Sequence, residues 1–117
     1  MIDKATFDNL ILSDGQVLSV VCHFADSAIE VKLQVRKKLA KQIVPCVVCL
    51  RFEKVTEFDV LEDFGTSGNY SDVVLVRQSD TQFYASFDPF GNSGVPDERD
   101  NFVIKAANCK IEEVSSL

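Results

Sequence analysis

The chain has 117 residues, a hydrophobic fraction of 46% and 12 basic against 18 acidic residues, for a net charge of −6. This length fits a single domain over residues 1–117, and this hydrophobic fraction can fill a core, which argues against a disordered chain. The negative charge argues against nucleic acid as the partner, because phosphate binding needs a basic face.

The first part of the chain predicts strands separated by turns. Residues 7–12 form a short apolar stretch, and residues 13–16 have the composition of a hairpin turn. Residues 17–24 predict the next strand, and a second turn follows at residues 25–28. The segment Ile29-Glu30-Val31-Lys32-Leu33-Gln34-Val35 then alternates strictly, which is typical of a half-buried antiparallel strand.

The chain then changes from an alternating to a continuous apolar pattern. Residues 36–41 are rich in good helix formers but too few for a stable helix, so we expect a basic loop. The β-branched run over residues 44–52 predicts a central strand that begins near Pro45. Beyond it the alternation weakens, and we expect a bulge or bend near Lys54.

The second half contains the clearest hairpin of the chain. Residues 63–69 hold two Gly among polar residues and predict a long loop. Residues 71–77 and 82–87 predict two strands, because both are apolar and rich in β-formers. Residues 78–81 between them predict a tight turn, so the two strands should pair directly.

The C-terminal part predicts an irregular segment followed by more strand. Residues 88–97 contain two Pro and two Gly, which prevent regular structure. Residues 102–114 predict a last strand or two, with a break around residues 106–108. Seven to nine short strands in all predict an all-β, mostly antiparallel fold, built as a sandwich or as a strongly curled sheet.

Charge is unevenly distributed along the chain. Residues 30–54 contain seven basic and two acidic residues, whereas residues 57–100 contain ten acidic and two basic ones. One part of the surface is therefore expected to be acidic and to attract a basic partner. The alternative is that acidic loops are scattered over the surface and serve solubility alone.

The location of the protein is predicted from two sequence features. The first residues lack the basic and apolar regions of a secretory signal, and no apolar stretch approaches the roughly 20 residues that span a bilayer. We therefore expect a cytoplasmic protein without membrane contact. In that compartment its four cysteines are expected to be reduced.

Cys46 and Cys49 form a C-x-x-C pattern, and His23 follows Cys22 directly. A redox pair or a zinc site needs its sulfurs to converge, but residues three apart in a strand point to opposite faces. Neighbours such as Cys22 and His23 also diverge, so they do not make a nucleophile and its base. We expect packing roles for the cysteines and a local hydrogen-bond partner for His23, with no metal and no cofactor; zinc held with Cys22 or Cys109 is the alternative.

Acidic side chains cluster in two parts of the chain. A catalytic pair of carboxylates needs environments that separate the two pKa values, whereas loop carboxylates usually remain solvated. Calcium fits such hard oxygens better, but neither cluster has the spacing and central Gly of an EF-hand loop. The sequence also lacks a phosphate loop, a nucleophile elbow and a zinc-protease motif. We therefore expect a protein that is not an enzyme.

Three segments carry a resemblance to a known family: residues 7–11, FDNLI; residues 50–58, LRFEKVTEF; and residues 83–89, FYASFDP. They are similar to a bacterial family of small all-β immunity proteins of polymorphic toxin systems. Where such relatives carry an early His beside Asp, this chain has Phe7-Asp8-Asn9. The resemblance implies a binder that blocks a toxin in the producing cell. Its protein partner would be a basic toxin domain, bound by charge complementarity around aromatic anchors.

The predicted partner-binding residues are the clustered acidic side chains and three aromatic residues in or beside the long loops. They are Glu57, Asp59, Glu62, Asp63, Phe64, Tyr70, Phe90, Asp97, Glu98 and Asp100. The alternative for the aromatic residues is that they hold their loops to the core. Two other functions stay open: a structural subunit that self-associates through strand edges as a homodimer or larger assembly, and a β-domain that binds a small ligand or metal.

Overall fold

Seven strands make up the computed structural model, which describes residues 9–59, 70–71, 73–90 and 94–116. The strands are β1, Leu10–His23; β2, Ala28–Leu39; β3, Gln42–Asp59; β4, Tyr70–Ser71; β5, Val74–Ser79; β6, Gln82–Asp88; and β7, Asn101–Ser116. They pair in one antiparallel sheet, in the order β4-β1-β2-β3-β7-β6-β5, which curls strongly into a half-barrel. The predicted all-β, antiparallel fold is confirmed as a strongly curled sheet, not as a sandwich.

β1 is one long strand and not two segments joined by a turn. Ile11 pairs with Arg36 of β2 and Gln16 with Gln34, so that residues 12–15 of β1 lie opposite the single residue 35. The turn predicted at residues 13–16 is therefore wrong. Most of these turn-forming residues lie in a large bulge within β1. Gly15 fits this site because a Cβ there would lie 3.3 Å from the carbonyl oxygen of Gln34.

The turn predicted at residues 25–28 is confirmed. A single 3₁₀ turn, Phe24–Asp26, follows β1, and Ser27 adopts the left-handed conformation with φ of 50° before β2 begins. The backbone carbonyl of Ser27 accepts a hydrogen bond from the Val55 N–H at 2.9 Å. This bond connects the turn to β3.

β2 and β3 form a long hairpin at the centre of the sheet. The basic loop predicted at residues 36–41 is wrong, because β2 continues to Leu39 and the turn consists of Ala40 and Lys41 alone. The hydrogen-bonded register with β3 imposes the strand on a segment whose own composition does not favour it. The prediction that residues 44–52 form a central strand is confirmed, since β3 lies between β2 and β7.

β3 changes direction where the sequence predicts it. Lys54 has a φ of 55°, and the register with β7 shifts between Val55 and Glu57, which confirms the predicted bulge. This bulge alters which side chains face outward. Beyond it Val55 still packs against the core, whereas Glu57 and Asp59 line a surface pocket.

The C-terminal strands confirm one prediction and contradict another. β5 and β6 form the predicted hairpin, with its turn at Asp80 and Thr81. β7 is continuous, so the break predicted at residues 106–108 is wrong; β7 pairs with β3 along most of its length, Asn108 with Glu53 among others. The segment between β6 and β7 is irregular where it is described, as predicted, and the loop predicted at residues 63–69 lies outside the described residues.

The core fills the concave side of the curled sheet. Phe52 of β3, Phe87 of β6 and Phe102 of β7 are among its largest fully buried side chains. The Phe52 and Phe87 rings meet edge to face, with centroids 6.1 Å apart, and the Phe87 and Phe102 centroids are 5.0 Å apart. This aromatic cluster joins the β2–β3 hairpin to the β5–β7 part of the sheet.

The cysteines take the positions that strand geometry predicts. Cys46 and Cys109 are buried in the core, while Cys49 lies on the outer face, with its Sγ 3.6 Å from Glu30 Oε2. Cys46 and Cys49 therefore point away from each other across the sheet. Burial raises the pKa of the Cys109 thiol to about 12, which keeps it protonated and unreactive at neutral pH.

Candidate functional site

An acidic pocket of about 230 Å³ lies on the outer face of the sheet, where β3 ends and β7 begins. Its lining comes from the end of β3, from β6, from the irregular segment before β7 and from β7 itself. The lining residues are Glu57, Asp59, Tyr84, Asp97, Glu98, Asp100, Val103 and Lys105. Because side chains alternate along a strand, Val103 and Lys105 lie on the side of the sheet opposite Ile104. Val103 is buried there against Val74 and Tyr84.

Half of the predicted binding residues come together in this pocket. They are Glu57, Asp59, Asp97, Glu98 and Asp100. Glu62, Asp63 and Phe64 lie outside the described residues. Tyr70 belongs to β4, which pairs with β1 and is separated from β7 by three strands of the sheet.

Asp100 is the buried carboxylate of the pocket, and its hydrogen bonds fix the chain around it. Its side chain is only 3% exposed, and its Oδ2 accepts hydrogen bonds from the Tyr84 hydroxyl at 2.6 Å and from the Asp97 N–H at 2.9 Å. Its Oδ1 accepts a third from the Phe90 N–H at 2.7 Å. Both carboxylate oxygens are thus used within the chain, so this residue holds the segment between β6 and β7 in place.

Tyr84 is a pocket residue that the sequence did not indicate. Burial, and then the hydrogen bond to Asp100, raise its pKa above the usual value. In the sequence it is one more outward position of a strand, where an exposed side chain is the usual outcome. It is buried because it packs against Val74 and Val103 of the neighbouring strands and its hydroxyl bonds Asp100 of the segment before β7, and no local pattern encodes these contacts.

Asp97, Arg99 and Phe90 form a stacked group at the rim. The Arg99 guanidinium donates from Nε to Asp97 Oδ1 and from its terminal nitrogen to Oδ2, both at 3.0 Å. These bonds lower the pKa of Asp97 to about 2. The same guanidinium lies 3.7 Å from the centroid of the Phe90 ring, which is 50% exposed. Phe90 therefore remains open to a partner beside an acid that is already paired.

The remaining carboxylates of the pocket differ in how they are compensated. Glu57 Oε2 lies 3.5 Å from the Lys105 ammonium. Asp59 and Glu98 are exposed, and within the described ranges neither makes an ion pair. The pocket thus holds five carboxylates against Lys105 in its lining and Arg99 at its rim. It is a site of net negative charge in which Asp59 and Glu98 are available to cations.

A second charged cluster crosses the outer face of β1, β2, β3 and β7, but it is balanced. Arg51 bridges Glu30 and Glu53, and Lys110 lies 3.2 Å from Glu53. His23 Nε2 lies 2.9 Å from Glu30 Oε1 but has no hydrogen-bond partner among the described residues. The hydrogen bond from Lys110 is the main cause that lowers the pKa of Glu53. This cluster adds no excess charge of either sign.

An apolar pocket of about 200 Å³ lies beside the 3₁₀ turn, on the opposite side of the end of β3. Cys22, Ile29, Val55 and Phe58 contribute to its lining, and Phe24 at its rim is 91% exposed. Its volume resembles that of cavities that admit one benzene-sized molecule. The small-ligand alternative stays a prediction.

Two negative findings apply to the described part of the chain. No three of its His, Cys, Asp and Glu side chains are grouped so that they could hold a metal ion. It also contains no helix with the length and apolar character that crossing a bilayer requires.

Comparison with known proteins found no matching family model, no matching curated protein and no matching solved structure. The resemblance to immunity proteins therefore stays a prediction.

Proposed function

We propose that this chain is a non-enzymatic module that binds a basic protein through the acidic pocket. The observation that carries the proposal is the convergence of Glu57, Asp59 and Glu98, from separate parts of the chain, on one pocket of the outer face. A surface that concentrates one sign of charge attracts a partner of the opposite sign and accelerates their encounter. Phe90 at the rim supplies exposed aromatic area of the kind that anchors protein interfaces.

The chemistry of the pocket favours binding over catalysis. The Tyr84 hydroxyl is donated to Asp100, and its raised pKa makes it a poor proton donor at neutral pH. Asp97 is held as a carboxylate by Arg99, with a pKa of about 2. General acid–base catalysis uses groups whose pKa values lie near the working pH. The pKa of Tyr84 lies far above neutral pH, and the pKa of Asp97 lies far below it.

The finer proposal is an immunity protein that neutralises a basic toxin domain in the cytoplasm of a bacterium. It is supported by the sequence resemblance and by the net negative pocket, which complements the basic surface that a nuclease-type toxin presents to nucleic acid. Inhibition would follow from covering that surface, with no chemical step in the immunity protein.

Affinity capture from a lysate of the source organism tests the proposal. The wild type is compared with Asp59→Asn/Glu98→Gln, which removes the two carboxylates without a described ion pair. Asp80→Asn/Glu112→Gln is the matched control, because it makes the same change of net charge at exposed sites elsewhere. We expect a basic protein to be retained by the wild type and by the control at low salt, and to be lost with the pocket variant or at high salt.

Two results would contradict the proposal: equal capture by the pocket variant and the control, or no specific protein retained by the wild type. The immunity role is tested next, by expressing the captured protein with and without this chain. Growth arrest that this chain relieves, and that the pocket variant does not relieve, supports immunity. A captured protein that is harmless when expressed alone excludes it.

A further inference from the structure

The tip of the β2–β3 hairpin combines positive charge with exposed apolar area. We call Lys38, Leu39, Lys41 and Ile43 the basic tip. Leu39 is 43% exposed and Ile43 is 56% exposed, while the two lysines are exposed and make no ion pair in the part of the chain that the structure describes. Lys38 and Ile43 are directly opposed in the hairpin register and so share one face. Exposed apolar side chains rimmed by polar residues are a feature of docking surfaces.

The basic tip and the acidic pocket lie at opposite ends of the same strand. β3 begins at Gln42, beside the tip, and ends at Asp59, in the pocket. No acidic residue occurs between Val31 and Phe52, so the tip has no acidic neighbour in that part of its own hairpin. One molecule therefore carries two surfaces of opposite charge, at the two ends of one strand.

We infer that the basic tip of one copy docks in the acidic pocket of a second copy. Charge complementarity identifies the occupant: Lys38 and Lys41 are cations without an ion-pair partner among the described residues, and Asp59 and Glu98 are carboxylates in the same condition. Leu39 and Ile43 supply apolar area to the contact, and the exposed Phe90 ring lies at the rim of the receiving pocket. In this contact the two lysines of one copy face the two carboxylates of the other copy.

The two docking surfaces differ, so the contact is heterologous. A head-to-tail contact leaves one free tip and one free pocket at the ends of every oligomer, and assembly continues unless the rotation closes a ring. The inference rests on the proposed function only in that it uses the same pocket. A basic partner and a second copy would then compete for it, and self-association would cover the pocket when no partner is present.

Sedimentation velocity of the purified wild type over a range of protein concentrations tests the inference. We expect the average sedimentation coefficient to rise with concentration at about 0.01 M salt and not at about 1 M, where the Debye length falls from about 30 Å to about 3 Å. Tip variant Lys38→Gln/Lys41→Gln and pocket variant Asp59→Asn/Glu98→Gln should each weaken self-association by about tenfold or more. Asp80→Asn/Glu112→Gln is the charge-matched control and should associate as the wild type does.

Mixing the two variants distinguishes the head-to-tail contact from other modes. The tip variant keeps a pocket and the pocket variant keeps a tip, so an equimolar mixture should form a 1:1 dimer and stop there. Neither variant alone should form that dimer. This experiment needs no external partner, so its result is independent of the lysate capture that tests the proposed function.

Three results would overturn the inference. The first is a wild type that stays monomeric at every concentration in low salt. The second is self-association that survives in the pocket variant, which would place the tip on another surface. The third is a monomeric wild type that co-sediments with phosphatidylserine-containing vesicles while the tip variant does not, because the occupant would then be an anionic membrane.

Discussion

Asp100 illustrates at the scale of single residues how a predicted binding group becomes a structural one. Its neighbours Asp97 and Glu98 have the same acidic character in sequence, yet only Asp100 is buried, with hydrogen bonds from Tyr84, Asp97 and Phe90. Acidic composition therefore predicted that the region is charged, but not which carboxylate faces solvent. That assignment depends on the path of the chain between β6 and β7.

The Asp97–Arg99 pair gives a prediction about acid. The pKa of Asp97 is about 2 in the folded chain, below its ordinary value of 3.8, because Arg99 donates to both carboxylate oxygens. A lowered folded pKa stabilises the fold fully above the unfolded value, and this contribution disappears as the pH falls from about 3.8 through about 2. We expect NMR titration of the Asp97 carboxyl to show its midpoint near 2 in the wild type.

Arg99→Gln is the variant that checks the cause. Without the guanidinium, the titration midpoint of Asp97 should rise toward 3.8. Arg77→Gln is the control, since Arg77 lies over Phe83 and makes no ion pair with Asp97. An Asp97 midpoint that is the same in the wild type and in Arg99→Gln would show that this pair does not form in solution.

At the scale of elements, the sequence predicted strands better than their connections. The β5–β6 hairpin and the bulge at Lys54 were predictable because each has a local signal: two apolar runs around polar turn residues, and a lapse in alternation. The predictions for residues 13–16 and 36–41 failed for a shared reason. In both cases the pairing of the surrounding strand outweighs local preference. Residues 12–15 form a bulge between paired parts of β1, and residues 36–39, although rich in helix formers, pair with β3.

The bulge in β3 predicts that one substitution by glycine stabilises the fold. Lys54 is exposed and has a φ of 55°, a conformation that costs a side-chain-bearing residue about 1 kcal/mol. Lys54→Gly should therefore raise the free energy of unfolding by about 0.5 kcal/mol, after the entropy cost of glycine is included. Chemical denaturation followed by circular dichroism measures the difference.

Lys32→Gly is the matched control for that experiment. Lys32 is also exposed, but it lies within the regular pairing of β2 with β3, where glycine is destabilising by about 0.5–1 kcal/mol. The two substitutions remove the same side chain and should have opposite effects. If Lys54→Gly destabilises as much as Lys32→Gly, the left-handed conformation at Lys54 is not a source of strain.

At the scale of the whole molecule, the fold places the basic tip and the acidic pocket at different ends of the long β3 strand. The sequence predicted that one part of the surface is acidic; in the structure Lys41 directly precedes β3, whereas Glu57 and Asp59 lie at its end. The sequence could not specify that Glu57 and Glu98 meet, because this depends on the pairing of β3 with β7, which are far apart in the chain. The candidate site was therefore predictable in composition and unpredictable in geometry.

The aromatic cluster of the core determines whether the two halves of the sheet hold together. Phe87 of β6 contacts Phe52 of β3 and Phe102 of β7, so it links the β2–β3 hairpin to the C-terminal strands. Phe87→Ala should lower the free energy of unfolding by about 3–5 kcal/mol, a large share of the roughly 5–15 kcal/mol of a typical domain.

Phe24→Ala makes the same change at a side chain that is 91% exposed and should alter stability by less than about 0.5 kcal/mol. Circular dichroism suits the measurement, since the chain has no Trp. Equal losses in the two variants would mean that the cluster does not join the two halves, and the acidic pocket, whose lining comes from both, would then lack a fixed geometry.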